Sequence, residues 1–147
     1  MSAETELYRE VVVEHKRAPR NFGELPHATH QARGRNPSCG DEISVQLQVD
    51  DGHIHDIRFN GVGCAICIAS ASLMTEAIKG DSVDSALELQ QHFRSAMTGR
   101  EEAHEDVLGK LISLQAVKNY PSRIKCALLG WHALAHALND SGSDTII

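Results

Sequence analysis

The sequence predicts an α+β domain, a small antiparallel β-sheet of two to three strands packed against about five α-helices. Three observations carry this. Apolar alternation, the period of a half-buried strand, is confined to one stretch between Glu42 and Asn60. Apolar residues at helical spacing fill the windows on either side of it. Strands do not alternate with helices along the chain, so nothing supports parallel βαβ units, and neither the Rossmann nor the P-loop glycine fingerprint is present.

The elements follow in order. Glu4 to Lys16 has Leu7, Val11 and His15 on one helical face and ends before Pro19. Arg20 to Asp41, with its prolines and glycines, predicts a long irregular arm containing at most a short strand near His30 to Arg35. Glu42 to Val49 alternates Ile43, Val45, Leu47 and Val49 with polar residues, and Ile54 to Asn60 answers it across the turn Asp50-Asp51-Gly52-His53. This is a hairpin with one buried face. After Asn60-Gly61-Val62-Gly63-Cys64, the run Ala65 to Lys79 is rich in small residues and closes at Gly80, as a packed helix does. A third helix starts at an Asp81 or Ser82 cap and stops at Gly99. Val107 to Lys118 and Arg123 to Asn139 predict two more, separated by Tyr120-Pro121-Ser122. The expected organisation is one domain over residues 1–147, with a disordered tail from Asp140.

Composition narrows the function. A formal net charge of -6, with basic residues scattered, leaves no electrostatic footprint for nucleic acid or an anionic membrane. No apolar run approaches the roughly 20 residues that span a bilayer, and Met1 to Glu10 lacks a secretory pattern, so a cytoplasmic protein is expected. Four cysteines in such a chain point to metal or thiol chemistry before disulfides.

Cys39 and Asp41 are two apart at the entry to a strand, so their side chains can face one point. Cys64 stands between a glycine-rich turn and a helix start, where free N–H groups and the helix dipole favour a thiolate. Cys126 lies in the first turn of the last helix beside Lys125 and near Arg123, cations expected to lower a thiol pKa. Three thiolates and a carboxylate suit Zn2+, and thiolates also suit iron or a [2Fe–2S] cluster. Asp41 would be the hard, exchangeable ligand. The spacings match no compact zinc-finger pattern, and buried structural cysteines are the alternative on chemistry alone.

Asn36-Pro37-Ser38-Cys39-Gly40-Asp41, Gly61-Val62-Gly63-Cys64, Ala69-Ser70-Ala71-Ser72-Leu73-Met74-Thr75 and Arg123-Ile124-Lys125-Cys126, taken together, change that balance. From about Leu7 to Leu138 the chain resembles the U-type iron–sulfur cluster assembly proteins of the SufU/IscU superfamily. Lys125 stands where the IscU branch has a histidine, and the connection from Cys64 to Cys126 has room for an extra segment around Met97 to Leu108. Both features resemble the SufU branch. The resemblance implies a SufU/IscU-like fold and zinc on Cys39, Asp41, Cys64 and Cys126. It implies sulfur accepted from a SufS-type cysteine desulfurase, with one side chain of that partner taking over a zinc position while a freed cysteine, assigned to Cys126, attacks the persulfide. Arg123 and Lys125 would support the site from outside, Arg123 by hydrogen bonding to Asp41. The other function the same ligands allow is a scaffold that assembles a [2Fe–2S] cluster and transfers it to downstream apo-proteins. A zinc-stabilised interaction module with an inert Cys126 is a third.

Cys67 departs from that branch, which more often has serine there. Cys64-Ala65-Ile66-Cys67 has dithiol spacing without the βαβ context of thioredoxin-like proteins, and a small residue packed beneath the site is the simpler reading. His132 and His136 are expected on a solvated helix face, His53 and His55 on an exposed edge, and Trp131 in the core. Glu101, Glu102, Glu105 and Asp106 form an acidic loop, either solvated or facing a basic partner.

Overall fold

The computed structural model describes residues 3–139 and 144–146. Helix α1 spans Ala3–Arg17, followed by strands β1 (His30–Asn36), β2 (Asp41–Asp50) and β3 (His53–Val62). Helices α2 (Ala65–Ile78) and α3 (Val83–Met97), a short α4 (Glu105–Leu108), a 3₁₀ helix (Gly109–Asn119) and α5 (Pro121–Asn139) complete the helical layer. Strand β4 (Asp144–Ile146) comes last. No described helix is long and apolar enough to cross a membrane.

The β2–β3 hairpin pairs antiparallel as the alternation requires, with Glu42 opposite Val62. Its inward residues Ile43, Val45, Leu47, Ile54, Ile57 and Phe59 are fully buried. The sheet differs from expectation in size and direction. It has four strands in the order β3-β2-β1-β4, and β4 runs parallel to β1, so the sheet is mixed rather than antiparallel. The physical reason is the open edge of β1: the three residues of β4, with β-branched Thr145 and Ile146, pair with Arg33, Gly34 and Arg35 there. Of the disordered tail expected from Asp140 onward, 140–143 and 147 lie outside the described residues, while Asp144–Ile146 form β4.

Beta-strand β1 is full length although its apolar period is faint, because its inward positions are Ala32, Gly34 and Asn36. Their small size is the condition for α5 to lie on this part of the sheet. A Cβ on Gly34 would sit 3.0 Å from Leu129 Cδ1. Small residues do the same between α2 and α5, where a Cβ on Gly130 would lie 3.2 Å from Ala71 Cβ. Ser70 Oγ fills the same seam, donating to Ala127 O at 2.6 Å and accepting from Trp131 Nε1 at 3.2 Å. Trp131 is fully buried and stacks on Phe93 of α3 at 4.8 Å. Helix α2 is therefore buried almost all round, the central element on which α1 and α5 pack.

Ser82 caps α3 through Ser85 N–H at 3.1 Å. The helix expected over 107–118 is broken instead. Gly109 adopts φ +54 after one turn of α4, and the chain continues in the tighter 3₁₀ winding.

Candidate metal centre

The β1–β2 turn, the start of α2 and the second turn of α5, a helix that begins at Pro121 rather than at the expected Arg123, meet at one rim of the sheet. Asn36 pairs with Asp41 to close the hairpin, and its carbonyl accepts from Cys39 N at 3.2 Å and Gly40 N at 2.9 Å. Gly40 takes φ +75, a left-handed turn conformation. This tight turn, rather than strand alternation, swings exposed Cys39 over Asp41, which is only 2% exposed.

Cys126 comes to the same point from α5 and is fully buried. One donor atom from each of Cys39, Asp41 and Cys126 lies within 4.8 Å of the other two. Cys64 is beside this set and not within it. It caps α2, its Sγ accepting from Cys67 N at 3.4 Å, while its own N–H donates to Asp41 Oδ1 at 3.0 Å. Two glycines make room for this junction. At Gly61, with φ +137, a Cβ would collide with Glu42 O; at Gly63 it would lie 3.0 Å from both Asp41 Oδ1 and Cys67 Sγ.

The electrostatics correct one expectation. Cys126 is not lowered toward a thiolate by flanking cations: burial first, then the Asp41 hydrogen bond and the sulfurs of Cys64 and Cys39, push its thiol well up. Lys125 is exposed, because successive residues on a helix point in different directions. Arg123, also exposed, faces Cys126, which is the largest influence holding its guanidinium charged. The expected hydrogen bond from Arg123 to Asp41 is absent among the described residues. Asn36 is the contact that sequence reasoning missed. Only 1% exposed, it directs Nδ2 at Cys126 Sγ over 3.9 Å, and its signal was its place in the Asn-Pro-Ser-Cys-Gly-Asp run.

Asp41 Oδ2 is buried with no hydrogen-bond partner. A carboxylate oxygen buried without a hydrogen-bond partner in a cluster of sulfurs is an unfavourable burial for a stand-alone core. The chemistry fits a soft divalent cation, which accepts sulfur and oxygen donors together and offsets their mutual repulsion. The residues present therefore suit zinc.

Other groups lie elsewhere. Cys67 is buried beneath Cys64, with its thiol raised by burial first and then by Asp41. His132 and His136 are half-buried rather than solvated, since α5 carries core residues on most of its surface. Burial and then Arg94 hold His132 below its usual range. His53, His55 and the four acidic residues from Glu101 to Asp106 are exposed.

The family model described as the NifU-like N terminal domain matches residues 7–139. A Bacillus subtilis protein named zinc-dependent sulfurtransferase SufU is 42% identical over 128 residues, covering 87% of this chain and 86% of its own. A Streptococcus pyogenes protein named iron–sulfur cluster assembly scaffold protein IscU is 39% identical over 137 residues, covering 93% and 86%. The crystal structure of a putative iron–sulfur cluster assembly scaffold protein for the SUF system from Fervidobacterium islandicum superposes with a TM-score of 0.86 at 37% identity, over 94% of this chain and all of that one. With the sheet, the central α2 and the Cys/Asp/Cys rim in place, the chain belongs to the NifU-like N-terminal domain family, among the SufU and IscU proteins of iron–sulfur cluster assembly.

Proposed function

We propose that this chain is a zinc-bound sulfur acceptor, working in the cytoplasm with a SufS-type cysteine desulfurase. One observation carries the reading: Cys39, Asp41 and Cys126 converge, and one oxygen of that same Asp41 is buried without a hydrogen-bond partner. Cys64 is the fourth donor assigned to zinc, because its backbone is tied to Asp41 and its sulfur acts on Cys126. The name of the Bacillus subtilis relative supports the same metal. When bound, zinc supplies the positive charge that lets these sulfurs exist as thiolates at neutral pH.

The chain's own residues then have separable roles. Cys126 is the acceptor: its sulfur attacks the outer sulfur of the desulfurase persulfide, a new S–S bond forms, and the partner's cysteine leaves as a thiolate. Arg123 stands exposed beside Cys126, a fixed positive charge where an anionic persulfide arrives. Cys64 N–H holds one oxygen of Asp41 and so aims the other. Asn36 positions the Cys126 sulfur from the sheet side.

The test is the metal and acid-labile sulfide content of protein purified with and without oxygen, for the parent and for Asp41→Ala. Near-stoichiometric zinc without sulfide in the parent, lost or loosened in the variant, is the expected result. The relatives named as IscU scaffolds favour a second reading, assembly of a [2Fe–2S] cluster on the same ligands. Iron with matching sulfide in the anaerobic parent would put that reading first.

A further inference from the structure

Cys67 takes no part in the donor set, yet it borders it. It is 1% exposed, and its N–H donates to Cys64 Sγ at 3.4 Å, which places the capping sulfur over the first turn of α2. The position that a Cβ on Gly63 would occupy is 3.0 Å from both Cys67 Sγ and Asp41 Oδ1, so thiol and carboxylate line one hollow. The other oxygen of that carboxylate is buried and unpartnered. Two cysteines with two residues between them at a helix start have the spacing at which dithiols close and reopen a disulfide.

We propose that Cys64 and Cys67 form a dithiol couple that discharges a sulfane sulfur carried on Cys64 as hydrogen sulfide. The proposal rests on the sulfur-acceptor reading. Sulfur taken up by Cys126 passes first to Cys64: the Cys64 sulfur attacks the outer sulfur of the Cys126 persulfide, the old S–S bond breaks, and Cys126 returns to a thiol. The Cys67 sulfur then attacks the inner sulfur of the Cys64 persulfide. A Cys64–Cys67 bond forms, the bond to the outer sulfur breaks, and that sulfur leaves as hydrogen sulfide, carrying the proton of Cys67. The two electrons that convert sulfane to sulfide come from the dithiol, which ends as the disulfide. A dithiol reductant of the cell then resets the pair.

Burial orders the steps. Cys67 is out of reach of an incoming persulfide, whereas Cys64 is half-buried and borders Cys126. A serine at position 67 could not perform the second step, since it has no redox chemistry. Cluster assembly consumes sulfide and desulfurases supply sulfane sulfur, so the couple would join the two on one chain.

The experiment loads the reduced full-length chain with a cysteine desulfurase and free cysteine, removes both, and follows sulfide release without added reductant. Alkylated samples are mapped by peptide mass spectrometry. The parent should release about one sulfide per chain as a Cys64–Cys67 disulfide appears. Cys67→Ser and Cys67→Ala should keep the added sulfur and release sulfide about tenfold more slowly or worse, because the attacking thiol is no longer held in place. Release from both variants at the parent rate, or a disulfide between another pair, overturns the dithiol couple and leaves the acceptor reading standing. No sulfur uptake by any of the three chains overturns both.

Discussion

Gly63→Ala presses on the metal centre without removing a donor. Gly63 is not in the left-handed region, so alanine meets no backbone strain and the effect is one of space. The new Cβ would lie 3.0 Å from Asp41 Oδ1, 3.0 Å from Cys67 Sγ and 3.1 Å from Cys67 Cβ. Comfortable contacts are about 3.5–4.0 Å, so these neighbours must give by about 0.5 Å. Cys67 is packed in the core and cannot retreat cheaply, so Asp41 moves, and the 3.0 Å bond from Cys64 N–H lengthens. Overpacking of this kind costs about 1–3 kcal/mol. The strained bond to the carboxylate is itself worth about 1.5–3 kcal/mol. Because the two costs describe one displacement they do not add, and a loss of about 1–3 kcal/mol is expected. Urea unfolding in the presence of a chelator measures that loss from the midpoint and slope. Competition with a chromophoric chelator measures zinc affinity, which should fall about 10–100-fold, as when a ligand's orienting partner is lost. Unchanged zinc affinity beside the expected loss of stability would refute the claim that Cys64 N–H and the Gly63 hollow aim Asp41. Unchanged stability would refute the packing argument itself.

Ser72→Ala is the companion. Ser72 Oγ meets His15 Nδ1 at 2.7 Å and accepts from Arg20 N at 2.8 Å, in the seam between α1 and α2 and away from the metal centre. Leaving these buried groups unpaired should cost about 1–3 kcal/mol in urea unfolding, with zinc affinity at the parent value. Stability should also depend on pH. Burial first, and then Arg20 for His15 or Arg94 for His132, holds both imidazoles below their ordinary range, so the unfolded chain takes up protons at a higher pH than the folded one. Their contribution is complete above about pH 6.5 and is lost as the pH falls through the folded values. Unfolding free energy measured between about pH 7 and about pH 5 should decline, and His132→Gln should flatten part of the slope.

What could be read from the chain depended on whether the deciding neighbour was close in sequence. The β2–β3 face was legible because Ile43, Val45 and Leu47 state their period without reference to anything else. The same holds for α2, whose run of small residues predicts close packing on several sides. Strand β1 was faint because Gly34 and Asn36 answer to Leu129 and Cys126, about ninety positions away. Likewise β4 is too short to show a period and exists through its pairing with β1.

The candidate site divides along the same line. Residue types and order pointed to Cys39, Asp41, Cys64 and Cys126, and the fold brings Cys39, Asp41 and Cys126 together with Cys64 beside them. Their ionisation was misjudged, because Lys125 is next to Cys126 in sequence while Asp41 and two more sulfurs are next to it in space. The chain neighbours argue for a thiolate and the spatial neighbours oppose one, and at van der Waals range in a buried site the spatial ones win. That outcome gives the site its character. A buried Cys126 thiol raised by its surroundings is a poor nucleophile by itself and a good ligand for a cation, so metal binding and sulfur reactivity are two consequences of the same crowding. Asp41 extends the coupling to the helix: one oxygen holds the start of α2 and the carboxylate is also part of the donor set, so a change at the centre is transmitted to the turn carrying Cys64 and Cys67.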